Sequence, residues 1–166
     1  GAVQCTPQSP NCLFCPLSGS CRALSEGKVQ QLPVKQHRTK TTNRYFNYIY
    51  VRMGAHTLIH KRTEDDIWKN LFELPLVETE KDLSEEEFLA CPQFHALFAE
   101  GEVRMVRILL RGVKHVLSHR VIYTNFYEVT LPDNSSSFSS YQRVAVEDLG
   151  RYAVPRLIHA FLEKYV

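Results

Sequence analysis

Residues 44–62 read RYFNYIYVRMGAHTLIHKR, and this stretch sets the fold. Its first ten residues are aromatic and β-branched, Gly54-Ala55 supplies a turn, and the next seven alternate around Leu58 and His60, so the pattern predicts two strands joined as a hairpin. Toward the C-terminus, residues 71–77 form a further short extended segment. Residues 82–97 read as a helix: Ser84 is the N-cap, Glu85, Glu86 and Glu87 fill a first turn whose dipole favours acids, and Phe88 and Leu89 begin an apolar face. Residues 103–117 and 120–131 are two longer strands, the first broken or turned at Gly112. A Ser-rich loop (134–140), a short strand (142–146), a turn (147–149) and a terminal helix (154–165) with Leu157, Ile158, Phe161 and Leu162 on one face complete the chain. The order β-β-β-α-β-β-β-α predicts an α+β domain over 44–166, a mixed sheet with helices packed on it. In the other direction, residues 24–43 are polar, hold Gly27 and Pro33 and lack periodicity, so they read as a linker.

Residues 1–23 are of another kind. Cys5, Cys12, Cys15 and Cys21 follow the spacing C-x6-C-x2-C-x5-C. Thiolates so close share a cation or are oxidised in pairs, which leaves an iron-sulfur cluster, a four-cysteine zinc site or two disulfides. Structural zinc sites pair their ligands in two separated knuckles, whereas here only Cys12 and Cys15 form one. Cys91 makes the cysteine count odd, and intracellular thiols stay reduced.

At 166 residues with 44% hydrophobic and 23% charged side chains, the composition is that of a globular domain with an appendage. No apolar run approaches a membrane span and no basic-then-apolar leader opens the chain, so the expectation is a cytoplasmic protein without a membrane partner. The net charge of +2 is small but unevenly spread. Lys35, His37, Arg38, Lys40 and Arg44 form one acid-free basic run; Arg104, Arg107, Arg111, Lys114, His115, His119 and Arg120 form another. Six acids and one lysine lie between them over 78–87. Two such runs beside a cysteine loop point toward a polyanion.

The cysteine spacing and its setting, GAVQCTPQSPNCLFCPLSGSC, resemble the cluster loop of the endonuclease III and MutY group of DNA repair glycosylases. The resemblance implies that Cys5, Cys12, Cys15 and Cys21 hold a 4Fe-4S cluster that organises a DNA-facing loop and performs no chemistry. The segment 66–75, DIWKNLFELP, is similar to the W-x-x-L-x-E-F-P segment of MutY C-terminal domains and of their MutT or Nudix relatives. It implies a Nudix/MutT-like fold for 44–166, with Trp68, Leu71 and Phe72 in the core. The Nudix box, G-x5-E-x7-R-E-U-x-E-E-x-G-U, whose glutamates bind the metal, is missing: after Pro75 the chain reads LVETEKDLSEEEF.

Residues 112–120, GVKHVLSHR, resemble the F-S-H recognition loop of MutY C-terminal domains, with Leu117 in place of Phe. By this resemblance Ser118 hydrogen-bonds the edge of 8-oxoguanine, whose N7 has become a donor, while His119, Lys114 and Arg120 lie near the backbone. His115 and His119 as zinc ligands would need Cys12 and Cys15, roughly a hundred residues upstream. The loop between Cys5 and Cys12 lacks the Lys or Arg common in the family; Arg22 could substitute.

The whole pattern resembles the C-terminal part of the MutY family of A/G-specific adenine DNA glycosylases, hydrolases of N-glycosyl bonds in base excision repair that remove adenine mispaired with 8-oxoguanine. This part would recognise 8-oxoguanine and bind double-stranded DNA, while a preceding helical domain carries the catalytic Glu and Asp; no catalytic residue falls in this chain. The rival readings are an active Nudix-type nucleotide hydrolase, whose only carboxylate candidates are Glu85, Glu86 and Glu87, and a zinc-stabilised interaction module. Consecutive glutamates point about 100° apart on a helix and make no single metal face.

Overall fold

The computed structural model describes residues 3–32 and 41–166, in two compact units, 1–40 and 41–166. The basic residues Lys35, His37, Arg38 and Lys40 of the first run lie outside the described residues.

The first unit is a chain of tight turns. The 3-10 turns Cys12–Phe14 and Ser18–Ser20 lead into α1, Arg22–Ser25, and a further 3-10 turn at Val29–Gln31 interrupts the expected linker. Cysteine backbone groups sit at the joints: Cys15 N–H donates to Cys12 O, Ser18 N–H to Cys15 O and Ser25 N–H to Cys21 O. None of its described side chains is buried, and Leu13 and Phe14 are 92% and 78% exposed. The described residues of unit one therefore form no apolar core of their own.

In the second unit, β1 (Thr42–Arg52) runs parallel to β6 (Arg120–Thr130) through eleven registered pairs, Thr42↔Arg120 to Arg52↔Thr130. Antiparallel β4 (Leu76–Thr79) and β5 (Met105–Val116) flank them, giving the order β4-β1-β6-β5. A smaller antiparallel sheet orders β3 (Phe72–Glu73), β2 (His56–Lys61) and β7 (Gln142–Ala145) as β3-β2-β7. The expected single mixed sheet is thus two sheets.

The expected hairpin of residues 44–62 is also corrected. Met53 and His56 exchange two backbone hydrogen bonds, 3.0 and 2.9 Å, and the strands then part into different sheets. β6 lies along one edge of β1 from Thr42 to Arg52, β4 lies along the other from Tyr45 to Tyr48, and β2 pairs instead with β3 and β7. Pro75 splits the extended segment of 71–77 in the same way: β3 joins β2 and β4 joins β1.

Both faces of β1 are covered, which explains why Phe46–Val51 are buried without alternation. Phe46, Tyr48 and Tyr50 join Ile122, Phe126 and α4 (Arg156–Tyr165) in one core, where the rings of Phe126 and Phe161 stack 4.1 Å apart. Ile49 and Val51 join Tyr127 and Val129 in the other, beneath α2 (Glu85–Ala90) and α3 (Pro92–His95). The single helix expected over 82–97 is these two, since Pro92 forces Cys91 to an extended ψ of 142°. Its N-terminus follows the expectation: Ser84 and Glu87 form a reciprocal capping box. The expected turn at 147–149 lies within a 3-10 helix, Val146–Arg151.

Candidate nucleic-acid interface

The β5–β6 hairpin carries the expected recognition loop at its tip, and the geometry of β5 decides where that tip falls. Gly112 does not break the strand. It sits in a bulge, φ +69°, inside a continuous β5. Pairing with β6 runs Ile108↔Tyr127, then Leu110↔Phe126, then Val113↔Thr124, so β5 accommodates one extra residue at each of two shifts. One shift alone would turn every following side chain to the opposite face; two restore the alternation. The second shift is held from within: Asn125 Oδ1 accepts the Gly112 N–H at 2.8 Å, while Asn125 Nδ2 donates to Asn47 Oδ1 at 3.1 Å and to Asp82 at 3.2 Å. Asn47 and Asn125 are registered neighbours on the parallel strands and are 1% and 4% exposed.

Residues 117–119 form the tip. The Leu117 N–H donates to Arg120 O at 2.8 Å, and His119 O accepts the Thr42 N–H at 3.1 Å, tying the loop to the start of β1. The Leu117 side chain is half-buried against the first core and is not an exposed wedge. Ser118, His119 and Lys114 are exposed, whereas the half-buried His115 packs 5.8 Å from the Trp68 ring.

The second basic run is acid-free only along the chain. Arg107 pairs with Glu128 at 3.0 Å, Arg111 with Asp82 at 3.6 Å and Arg120 with Asp66 at 2.6 Å. Among the described residues, Lys114 and Arg104 enter no ion pair and both are exposed. Arg120, expected near the DNA backbone, has its guanidinium on Asp66. The signal missed in the sequence was the partner on another element, since Asp66 stands 54 positions from Arg120.

Asp66 gathers three arginines. Arg44 reaches it at 2.7 Å, Arg62 at 3.0 Å and Arg120 at 2.6 Å. Arg44 also grips Glu78 with two bonds, 2.6 and 2.7 Å, and Arg62 holds the buried Glu73. Burial works to raise the Asp66 carboxyl, but the hydrogen bonds from Arg44, from the Ile67 backbone and from Arg120 outweigh it and hold it at about 2. Glu73, the acid of the W-x-x-L-x-E-x-P segment, accepts from Arg62, from Tyr48 Oη at 3.0 Å and lies 3.0 Å from His60 Nε2. Its part is to close a network, a second role the sequence did not disclose.

The four loop cysteines are all free and line one small cavity with Gln4, Pro10, Asn11, Ser18 and Leu24. Among the described residues, no three His, Cys, Asp or Glu side chains are gathered closely enough to hold a metal ion. The donor set and shared cavity suit a sulfur-ligated group, while the thiols are not drawn to ligating distance. The glutamates at the start of α2 are dispersed: Glu87 is used in the capping box and lies 3.5 Å from Lys81.

The sequence pattern of the NUDIX domain matches residues 47–164, and the chain belongs to that family. Its similarities within the family are narrower. An adenine DNA glycosylase of Buchnera aphidicola subsp. Acyrthosiphon pisum (strain APS) is 25% identical over 168 residues, spanning 99% of this chain and 45% of that protein. The adenine DNA glycosylase of Buchnera aphidicola subsp. Schizaphis graminum (strain Sg) is 34% identical over 79 residues, 48% of this chain and 23% of that protein. The chain thus spans less than half the length of these curated relatives. Among solved structures, the C-terminal domain of mouse MUTYH, crystallised in complex with human PCNA, matches with a TM-score of 0.54 at 14% identity, covering 74% of this chain and 86% of that one. This establishes the Nudix/MutT-like fold. No helix of the described residues is long and apolar enough to cross a membrane.

Proposed function

We propose that this chain is the lesion-recognition part of an adenine DNA glycosylase, reading 8-oxoguanine opposite adenine in double-stranded DNA while a separate helical domain of the same protein removes the adenine. The observation that carries this reading is the exposed Ser118 at the tip of a hairpin whose backbone is fixed on both sides. A hydroxyl held there can accept from the N7–H that guanine lacks and donate to a neighbouring acceptor. Relatives named adenine DNA glycosylase, one aligned along nearly the whole chain, support it. Base excision repair places such a protein inside the cell, on DNA.

Cys5, Cys12, Cys15 and Cys21 would hold a 4Fe-4S cluster. The support is chemical: four free thiols around one cavity, in a unit whose described residues bury no side chain to stabilise it. A cluster bound there would supply structure and no step of catalysis. Arg22, 90% exposed on its side chain although bonded to Glu26, lies just past the last cysteine as a phosphate contact.

The test is adenine release by the full-length protein from duplexes carrying 8-oxoguanine or guanine opposite adenine. Ser118→Ala should narrow the preference for the oxidised base by about 1 to 3 kcal/mol, the value of a specific base contact. An unchanged preference would reduce the loop to a turn and remove the reading.

A further inference from the structure

Asp66 belongs to the loop between β2 and β3, and its carboxylate collects Arg62 from the start of that loop and two arginines from elsewhere: Arg44 near the start of β1 and Arg120 at the first residue of β6. Arg120 follows the recognition loop directly, and its carbonyl receives the Leu117 N–H. The loop that carries Asp66 is itself fixed, because Arg62 Nε donates to Ile67 O at 3.0 Å and the Asn70 N–H donates to Arg62 O at 2.7 Å. Trp68, two residues on, takes φ +59° and packs on Phe46 and His115. Both ends of this clasp are therefore anchored in the body of the domain, and through Arg120 it adjoins the exposed 117–119 tip.

We propose that Asp66 is a positioning residue for lesion discrimination: its carboxylate draws the Arg120 guanidinium away from DNA phosphate and uses it to fix the hairpin tip that presents Ser118. This rests on the recognition role of Ser118 proposed above. Two consequences separate the role from a merely structural one. Removing the charge loosens the tip, which lowers discrimination between 8-oxoguanine and guanine. It also frees Arg120, whose ion pair is with Asp66 while Arg44 keeps Glu78, so affinity for any duplex becomes more salt-dependent, by up to about 0.9 in the slope of log affinity against log salt if Arg120 finds a phosphate. Damage to the fold alone would instead lose phosphate contacts and flatten that slope.

The experiment uses full-length protein with its cluster and the substitutions Asp66→Asn, Ser118→Ala and both together, measured for single-turnover adenine release opposite 8-oxoguanine and opposite guanine, and for binding at several salt concentrations. Asp66→Asn should reduce the preference ratio by about three- to thirty-fold, with the slope unchanged or steeper, and should add little in the Ser118→Ala background because both act through one hydroxyl. A ratio untouched by Asp66→Asn while Ser118→Ala lowers it, or a flattened slope, overturns the positioning role and leaves the recognition reading intact. A ratio untouched by Ser118→Ala overturns both. If Asp66→Asn does not fold, Arg120→Ala breaks the same pair from its other side and decides the same question: a reduced ratio supports the proposal and an intact one overturns it.

Discussion

Asn125 Oδ1 accepts the Gly112 N–H at 2.8 Å, and through that bond a buried side chain of β6 holds the register of the strand leading to the 117–119 tip. The bulge leaves this amide facing a side chain in place of a ladder carbonyl, and Asn125 is also tied to Asn47 and Asp82. Asn125→Leu should cost about 1 to 3 kcal/mol in equilibrium denaturation, because it strands the Gly112 N–H and the Asn47 amide oxygen. Ser118→Ala, made beside it, should leave stability within about 0.5 kcal/mol.

Two glycines with positive φ separate strain from crowding. At Gly112, φ +69°, a Cβ would meet nothing within 4 Å, so Gly112→Ala should cost only the left-handed penalty of about 1 to 2 kcal/mol. At Gly54, φ +57°, a Cβ would stand 2.9 Å from Asp133 Oδ1. Gly54→Ala should therefore destabilise more than Gly112→Ala in chemical denaturation. Equal losses would show that the Asp133 side chain swings clear.

The acid response should carry the signature of Asp66. Its carboxyl is lowered from 3.8 to about 2, so the ion pairs with Arg44, Arg62 and Arg120 contribute stability that is present above the unfolded value and lost as pH falls toward about 2. Glu102, held at about 2 by the Ser135 hydroxyl, the Ser136 N–H and the Ser137 hydroxyl, loses its contribution in the same window. Melting temperatures should show the gap between wild type and Asp66→Asn closing as pH drops through that window. A gap constant with pH would mean that the carboxylate charge does not stabilise the fold.

Lys114 and Arg120 should differ in phosphate binding, although both stand in the same basic run. Lys114 is exposed and without an ion pair among the described residues, while Arg120 lies 2.6 Å from Asp66. In the full-length protein, Lys114→Ala should lower the slope of log affinity against log salt by about 1, alike for both duplexes. Arg120→Ala should lower it less and disturb base preference more.

For the cluster, Cys12→Ser in the full-length protein should abolish bound iron and acid-labile sulfide and weaken DNA binding, while residues 41–166 keep their melting transition. Zinc in place of iron in the wild-type protein would support an interaction module. The chain alone should release neither adenine from DNA nor pyrophosphate from oxidised dGTP with Mg²⁺, and product in either assay would overturn that half of the expectation.

By itself the sequence determined what depends on local chemistry. The aromatic run of β1, the capping box of Ser84 and Glu87, the long strands on either side of residues 117–119 and the apolar face of α4 all follow from side-chain type and period, which act over a few residues. The L-S-H tip was legible for the same reason: it is one contiguous stretch. Only the tertiary structure decided which edges pair. β2 parts from β1 after the Met53–His56 bridge and pairs with β3 and β7, and no period within 44–62 records that choice of partners. It alone also showed that Arg44, Arg107 and Arg120 are engaged, since Glu78, Glu128 and Asp66 reach them from distant strands and loops. Charge along a chain is read in sequence order, but an electric field sums over space, and folding brings together acids and bases that the sequence keeps apart.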